Sequence, residues 1–454
     1  MNASAHRLTA AGLVTVTATA TALGLAAASN PKIEFTDTRL KNGLRVIISE
    51  DHTAPVFGIA VNYDVGSRNE RKGRTGFAHL FEHMMFKGSE NVGPGEHPYL
   101  MFMYGGSMNG TTNKDRTIYY EVMPANQLDL ALFLEADRMR SLEITKDNLE
   151  NQRNAVQEER RLGVDNQPYG KTFETIDELA YDNFAYEHSV IGSMADLSAA
   201  TVEDVSAFFK TYYAPNNAVV AIVGDVDTKA TLEKVRKYFE GIPSQPAPPP
   251  VDVTEPKQTA ERRTTIEDAL ARLPRLDLAY KIPPAGSSDS DALSVLATVL
   301  SGGRSSRLYE GIVRQKQLAS SVSAGAGQGR GPGLFRFTGM PLPGKTPAEL
   351  EAAIEEEIAK IQSTPIADWE LQKARNSARA SFIGGLQSAL NRATQLAENA
   401  IAFDDPGRIN TRADAIATVT AADVQRVAKE YLVKTNRTVV VTMPKAGAPS
   451  KGVQ

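Results

Sequence analysis

Two histidines and a glutamate stand close together in His79-Leu80-Phe81-Glu82-His83. The histidines are four positions apart, so a helix through this segment puts both imidazoles on one face, one turn from each other. That spacing suits two ligands of a single metal ion. Glu82 follows His79 by three residues on the same side, where it can take a proton from a water held by the metal. The chain has six histidines, at 6, 52, 79, 83, 97 and 188, and two of them fall here. The flanks, Gly76-Phe77-Ala78 and Met84-Met85-Phe86, are apolar enough to bury the helix. Buried imidazoles beside a buried carboxylate need a partner, and a metal ion is the natural one.

A catalytic metal of this kind needs a third protein ligand and one open position. The stretch from Asn148 to Leu162 reads as a helix with carboxylates at Glu150, Glu158 and Glu159. Glu158 and Glu159 point about 100° apart, so only one of them can face the site. The chain has no cysteine, which excludes thiolate ligands and disulfides.

The elements that must position these residues are partly legible. Gly43 to Ile48, Phe57 to Tyr63, Thr117 to Val122 and Val219 to Gly224 read as strands, rich in β-branched and aromatic residues. Gly73 to Phe86 is a turn followed by the motif helix. Leu128 to Met139, Asp147 to Leu162 and Lys229 to Phe239 have helical patterning. A proline-rich run within Ile242 to Thr259 cannot form a core and reads as an extended linker. The Gly-rich segment Gly325 to Gly333 lacks a phosphate-loop context and reads as a plain surface loop.

The parts on either side of the linker resemble each other. Thr201 to Val205 lines up with Thr420 to Val424, 219 positions on. At the same offset Tyr212 meets Tyr431, Asn217 meets Asn436, Val220 meets Val439, Pro55 meets Pro274 and Ala60 meets Ala279. His79 then falls on Thr298 and His83 on Gly302, so the second half keeps the scaffold without the ligands. The expectation is an α+β protein of two homologous domains made by internal duplication, each a mostly antiparallel sheet covered by helices. The boundaries are a signal peptide at 1–28, an N-terminal metal-bearing domain at 29–241, a linker at 242–261, a C-terminal domain at 262–445 and a tail at 446–454.

With 454 residues, 42% hydrophobic and 23% charged, the chain has the composition of a globular protein of more than one domain. A net charge of −4 and the lack of a long basic run argue against a nucleic-acid partner. Arg7, the uncharged run Leu8 to Ala27 and Ala26-Ala27-Ala28 form a secretory signal pattern, which implies export to the periplasm or beyond with no stable membrane span after cleavage.

H-x-x-E-H with a Glu 76 residues after its second histidine resembles the pitrilysin/insulinase family of zinc metallopeptidases, in particular short-chain bacterial members similar to mitochondrial processing peptidase β. The surrounding residues resemble it too: Gly76 to Gly88, Gly106-Ser107-Met108-Asn109-Gly110-Thr111-Thr112, Glu159-Arg160-Arg161 and Asp165 to Gly170. The resemblance spans essentially the whole mature chain. It implies one Zn²⁺ per chain held by His79, His83 and Glu159, with Glu82 as general base. It implies that peptide adds as a strand along Gly106 to Thr112, so that Asn109, Gly110 and Thr111 bind substrate. A position often Glu in the family is Gln152 here, which could support a ligand by hydrogen bonding. The family also uses an Arg and a Tyr from a second-half domain. Arg314 matches the Arg, whereas Ser320 stands at the Tyr position. A serine is too short to replace the phenol, and Tyr309 is the other hydroxyl at hand. The expectation is a zinc-dependent endopeptidase of unfolded peptides, paired with a homologous exported subunit that keeps the Arg–Tyr pair. A non-catalytic assembly subunit and a presequence-specific processing peptidase are the alternatives.

Overall fold

The computed structural model describes residues 32–445. The expected signal peptide and the tail lie outside the described residues. Within them, no helix is long and apolar enough to cross a membrane.

Each half is built on one sheet. The first contains β1 (Thr36–Arg39), β2 (Arg45–Glu50), β3 (Val56–Tyr63), β4 (Ser107–Thr112), β5 (Thr117–Pro124) and β6 (Ala218–Gly224) in the order β1-β2-β6-β3-β5-β4. The second contains β7 (Arg262–Asp268), β8 (Arg275–Ile282), β9 (Ala319–Gly327), β10 (Gly333–Pro341) and β11 (Arg437–Pro444) in the order β7-β11-β8-β10-β9. Leaving out β1, the two orders are the same. In both, the first strand runs parallel to the last, and all other neighbours are antiparallel. The duplication is therefore visible in topology, and the halves are mixed α and β as the pattern of runs implied.

The registers correct one detail of the repeat. Ala60 pairs with Ala221, while Val440, the match of Ala221, pairs with Asp277. The counterpart of Ala60 is thus Asp277, and the Ala60/Ala279 and Pro55/Pro274 matches are coincidental. Hydrogen bonds agree with the strand register. Asn217 Nδ2 donates to the carbonyls of Tyr212 and Asp64, and Asn436 Nδ2 to those of Tyr431 and Lys281. The last strands are related by 219 positions and the inner strands by two fewer, because the intervening segments differ in length.

β6 shows why its sequence is an unbroken apolar run. Val220 and Ile222 face a core shared with helices α1 (Phe77–Met84), α3 (Leu128–Arg140) and α4 (Lys146–Arg160). Val219, Ala221 and Val223 face the opposite way, against Ala393, Leu396, Ala397 and Ala400 of the helix Ala389–Phe403. That helix belongs to the second half. Its apolar residues at intervals of three and four make one stripe of mostly small side chains, which lets it lie close to the sheet. Gly58 marks the contact: a Cβ there would come within 2.7 Å of the Leu390 Cα. The exchange is reciprocal. Ile176 and Ala180 of α5 (Gly170–Ala180) pack with Ala279, Leu334 and Val440 of the second sheet. The halves therefore form one compact unit in which each covers the other's sheet.

Leu396 is fully buried in this exchanged contact. Leu396→Ala is expected to cost about 2–5 kcal/mol. Hydrogen exchange should show the loss in β3 and β6 of the first half. Protection there unchanged from the parent chain would contradict the exchanged packing.

The proline-rich linker has no regular secondary structure, but its later part is tied down. Val251 and Val253 pack beside Tyr181 and Tyr186. Glu255 accepts from the backbone N–H groups of Asp182 and Asn183, and Gln258 donates to the Arg437 carbonyl. The Gly-rich loop is not a plain surface loop either. Arg330 N donates to Asp115 Oδ2 at 2.8 Å, and its guanidinium pairs with Asp64, which docks the loop on the first half.

Candidate metal centre

α1 carries the H-x-x-E-H residues, and α4 packs against it. Leu149, Gln152 and Val156 form the buried stripe of α4, and Glu159 continues that stripe into the opening of the site. The third candidate ligand thus comes from the same helix face that packs α4 onto the core. Glu158, one position away, turns outward and pairs with Arg161 at 3.0 Å.

The structure brings His79, His83 and Glu159 together. Glu159 Oε2 lies 3.7 Å from His79 Nε2 and 3.3 Å from His83 Nε2. One donor atom from each residue falls within 4.8 Å of the others. Metal–ligand bonds of about 2.0–2.2 Å in a tetrahedron place the ligand atoms roughly 3.3–3.6 Å apart, so this donor set fits a zinc ion. Glu159 is half-exposed, which leaves the outer side of the set open to water or substrate. Charge agrees as well. Burial, and then the neighbouring His83, push His79 down to about 4, so its imidazole is neutral and free to ligate. The hydrogen bond from His83 holds the Glu159 carboxyl below its usual range, as an anion.

His79 has an unusual surrounding. Its Nδ1 is buried without a hydrogen-bond partner. Gln152 is buried on the adjoining helix, but its amide donates to Asn151 rather than to a ligand. Packing, not a second hydrogen bond, orients this ring.

Glu82 sits at the inner side of the set. Its Oε2 accepts from the Thr112 hydroxyl at 2.6 Å. Burial pushes its carboxyl up, and the Thr112 hydrogen bond opposes that shift. Thr112 ends β4, the edge strand of the first sheet, which runs directly over Glu82. A Cβ on Gly110 would meet Glu82 Cγ at 3.1 Å and Oε1 at 3.3 Å. Glycine therefore keeps the space above the carboxylate clear. Asn109 folds back so that its Oδ1 accepts from the Gly110 N–H. The Thr111 carbonyl and hydroxyl accept from Arg116, which is paired in turn with Glu398 on the exchanged helix. The second half thereby fixes the far end of the edge strand.

Arg314 is not drawn to this centre. It pairs with Glu310 in solvent, on the segment Tyr309–Gln315. Ser320, at the start of β9, is exposed and donates to the Met340 carbonyl.

Sequence reasoning missed a second grouping of metal-ligating side chains. His97, on α2 (Glu96–Met103), lies 2.8 Å from Glu121, and Glu135 is close by. The group is sealed and contains Arg138, which pairs with Glu135. A cation already fills the role a metal would take. Zinc titration is therefore expected to give one tight site per chain. His83→Ala should abolish it and His97→Gln should leave it. Two sites of equal affinity would overturn this assignment.

An imidazole pair on one helix, a carboxylate on the next, and a free sheet edge above a buried glutamate define a chain of the zinc-peptidase class with the inverted helix motif. Two family models match it: Insulinase (Peptidase family M16) over residues 45–193 and Peptidase M16 inactive domain over residues 199–378. The chain belongs to peptidase family M16. It is 32% identical over 408 residues to the zinc protease PqqE of Helicobacter pylori, covering 89% of this chain and 92% of that one. It is 26% identical over 415 residues to a probable mitochondrial-processing peptidase subunit beta of Arabidopsis thaliana, covering 87% and 76%. The crystal structure of a protease from Helicobacter pylori superposes with a TM-score of 0.87 at 32% identity, covering 91% of this chain and all of that one.

Proposed function

We propose that this chain is a zinc-dependent endopeptidase that cleaves extended, unfolded peptide segments. The observation that carries the reading is the placement of Glu82: buried, beside three converging donor atoms, and directly under the free edge of β4. His79, His83 and Glu159 would hold the zinc, which when bound supplies a Lewis acid for a water and for the scissile carbonyl. An extended backbone adds beside β4 through main-chain hydrogen bonds, with Asn109, Gly110 and Thr111 as the strand it pairs with. Thr112 steadies one Glu82 oxygen and leaves the other toward the Gly110 side. Glu82 takes the proton of the attacking water and returns it to the leaving nitrogen.

The reading extends to an exported protein working as the zinc-bearing member of a heterodimer. Arg314 is solvent-exposed in this chain, and Ser320 stands where a phenol would be needed, so a homologous chain with an intact Arg–Tyr pair would complete the site. Loss of one oxyanion donor lowers rate by roughly 10²–10³.

The test is an assay of the purified mature chain on a quenched unfolded peptide, alone and with a co-purifying homologue, with and without chelator. Chelator-sensitive cleavage that rises at least about a hundredfold with the homologue is expected. Full activity of the chain alone overturns the heterodimer. No activity in any mixture, with zinc bound, overturns the peptidase reading in favour of an assembly role.

A further inference from the structure

The helix that carries the ligands begins without a cap of its own. Gly76 occupies its N-cap position, at φ 85°, and contributes no side chain. The first N–H groups of a helix lack intrahelical partners and must be satisfied from outside. Here the Glu70 carboxylate, from the turn before the helix, accepts from two of them. Glu70 Oε2 accepts from Gly76 N at 2.9 Å, and Oε1 from Ala78 N at 2.8 Å.

The Glu70 side chain has no solvent exposure. A carboxylate in that position needs a charged or strongly donating partner. His188 provides it, with Nε2 2.9 Å from Glu70 Oε2. The remaining neighbours of this ring are also acceptors. Nδ1 lies 2.7 Å from the Phe184 carbonyl oxygen, and Nε2 lies 3.0 Å from the Ser67 carbonyl oxygen. Only a ring with hydrogen on both nitrogens satisfies all three. The Phe184 ring stacks on the imidazole at 4.4 Å and fixes its plane. Burial works against both charges: it pushes the Glu70 carboxyl up against the pull of its donors, while at His188 the Glu70 carboxylate outweighs burial and raises the imidazole. The two N–H groups donating to Glu70 and the three acceptors around the ring decide for the charged pair.

The metal-free half lacks this arrangement. Its corresponding helix, Ser290–Ser301, starts at Asp289, which makes no side-chain cap bond and pairs instead with Arg426 and Tyr431. The buried carboxylate–imidazole cap is present at the helix that bears the ligands.

We propose that Glu70 and His188 are positioning residues. They form a buried ion pair that holds the first turn of α1, and through it they set the placement of His79, Glu82 and His83. Catalytic groups need to be held to within about half an ångström, and a frayed first turn, two residues before His79, would lose that. The inference rests on the peptidase reading for its kinetic consequence only.

The experiment compares Glu70→Gln, His188→Gln and, as a control destabilised elsewhere, Ile354→Ala in the core of the second half. Glutamine at 70 presents a donor where two N–H groups and the imidazole also donate, and glutamine at 188 removes the cation. For both, kcat is expected to fall roughly tenfold or more, and zinc to transfer faster to a chromophoric chelator by a similar factor. KM should stay near the parent value, because the β4 edge is untouched. Amide exchange at Gly76 and Ala78 should quicken in the metal-free protein as well. Ile354→Ala should leave kcat and zinc transfer unchanged at a comparable loss of melting temperature. If one variant fails to fold, the other decides. Parent-like zinc transfer and parent-like exchange at Gly76 and Ala78 overturn the proposal. A parent chain without peptidase activity would sink the peptidase reading, while exchange and zinc transfer would still decide the cap.

Discussion

Glu82→Gln is expected to lower kcat by about 10²–10⁴ with zinc content and KM unchanged. The substitution keeps shape and volume. The Thr112 hydroxyl can still donate to the side-chain oxygen that replaces Oε2. The three candidate ligand atoms come from other residues, so zinc content should not depend on Glu82. What disappears is the group that can accept a proton between the donor set and the β4 edge. Burial pushes the Glu82 carboxyl above its usual range, and the Thr112 hydrogen bond opposes that shift. The check is steady-state kinetics on a quenched peptide together with metal analysis of the same preparation. A variant within tenfold of the parent in kcat, still chelator-sensitive, would mean that another group moves the proton.

The largest stability effect is expected at Arg138. This arginine is buried in the core between α3 and the first sheet. It pairs with Glu135 and lies over the rings of Tyr119 and Phe86, at 4.4 and 5.2 Å. Burial raises the Glu135 and Glu121 carboxyls, and Arg138 opposes both shifts. His97 is pushed down to about 3 by burial, so it brings no compensating charge. Arg138→Met would leave two buried carboxyls without their cation and should cost about 3–5 kcal/mol. The measurement is a shift of the denaturation midpoint at unchanged slope. A second change, Glu135→Leu, should restore part of the loss, since an apolar pair of similar volume leaves less charge unpaired. A loss below about 1 kcal/mol for Arg138→Met would show that the carboxyls are already neutral.

The difference between these two clusters marks the boundary of sequence reasoning. The spacing of His79, Glu82 and His83 defines a helix face before any coordinates exist, because four residues make about one turn. The choice of Glu159 needed the family resemblance, since helix geometry alone left Glu158 open. The structure then gives a physical reason, in that Glu159 continues the buried stripe Leu149–Gln152–Val156. His97, Glu121 and Glu135 are spread over a helix, a strand and another helix, and no spacing links them. Glu70 and His188 are likewise 118 positions apart, and only the fold puts one on the other.

The repeat was readable where local chemistry repeats: the Tyr–Asn turns before β6 and β11, and the capped helices starting at Thr201 and Thr420. It misled within the strands, where small apolar residues recur at any offset and only hydrogen-bond register decides. The sequence by itself determined the helix that presents His79, Glu82 and His83 on one face, the duplication and the chemistry to expect, because periodicity and residue type are local properties of a chain. Tertiary structure alone decided that each half covers the other's sheet, that the β4 edge lies over Glu82, and that His188 backs the Glu70 carboxylate at the start of α1. Those are contacts between segments far apart in the chain, selected by how whole faces bury one another rather than by any pattern within a segment.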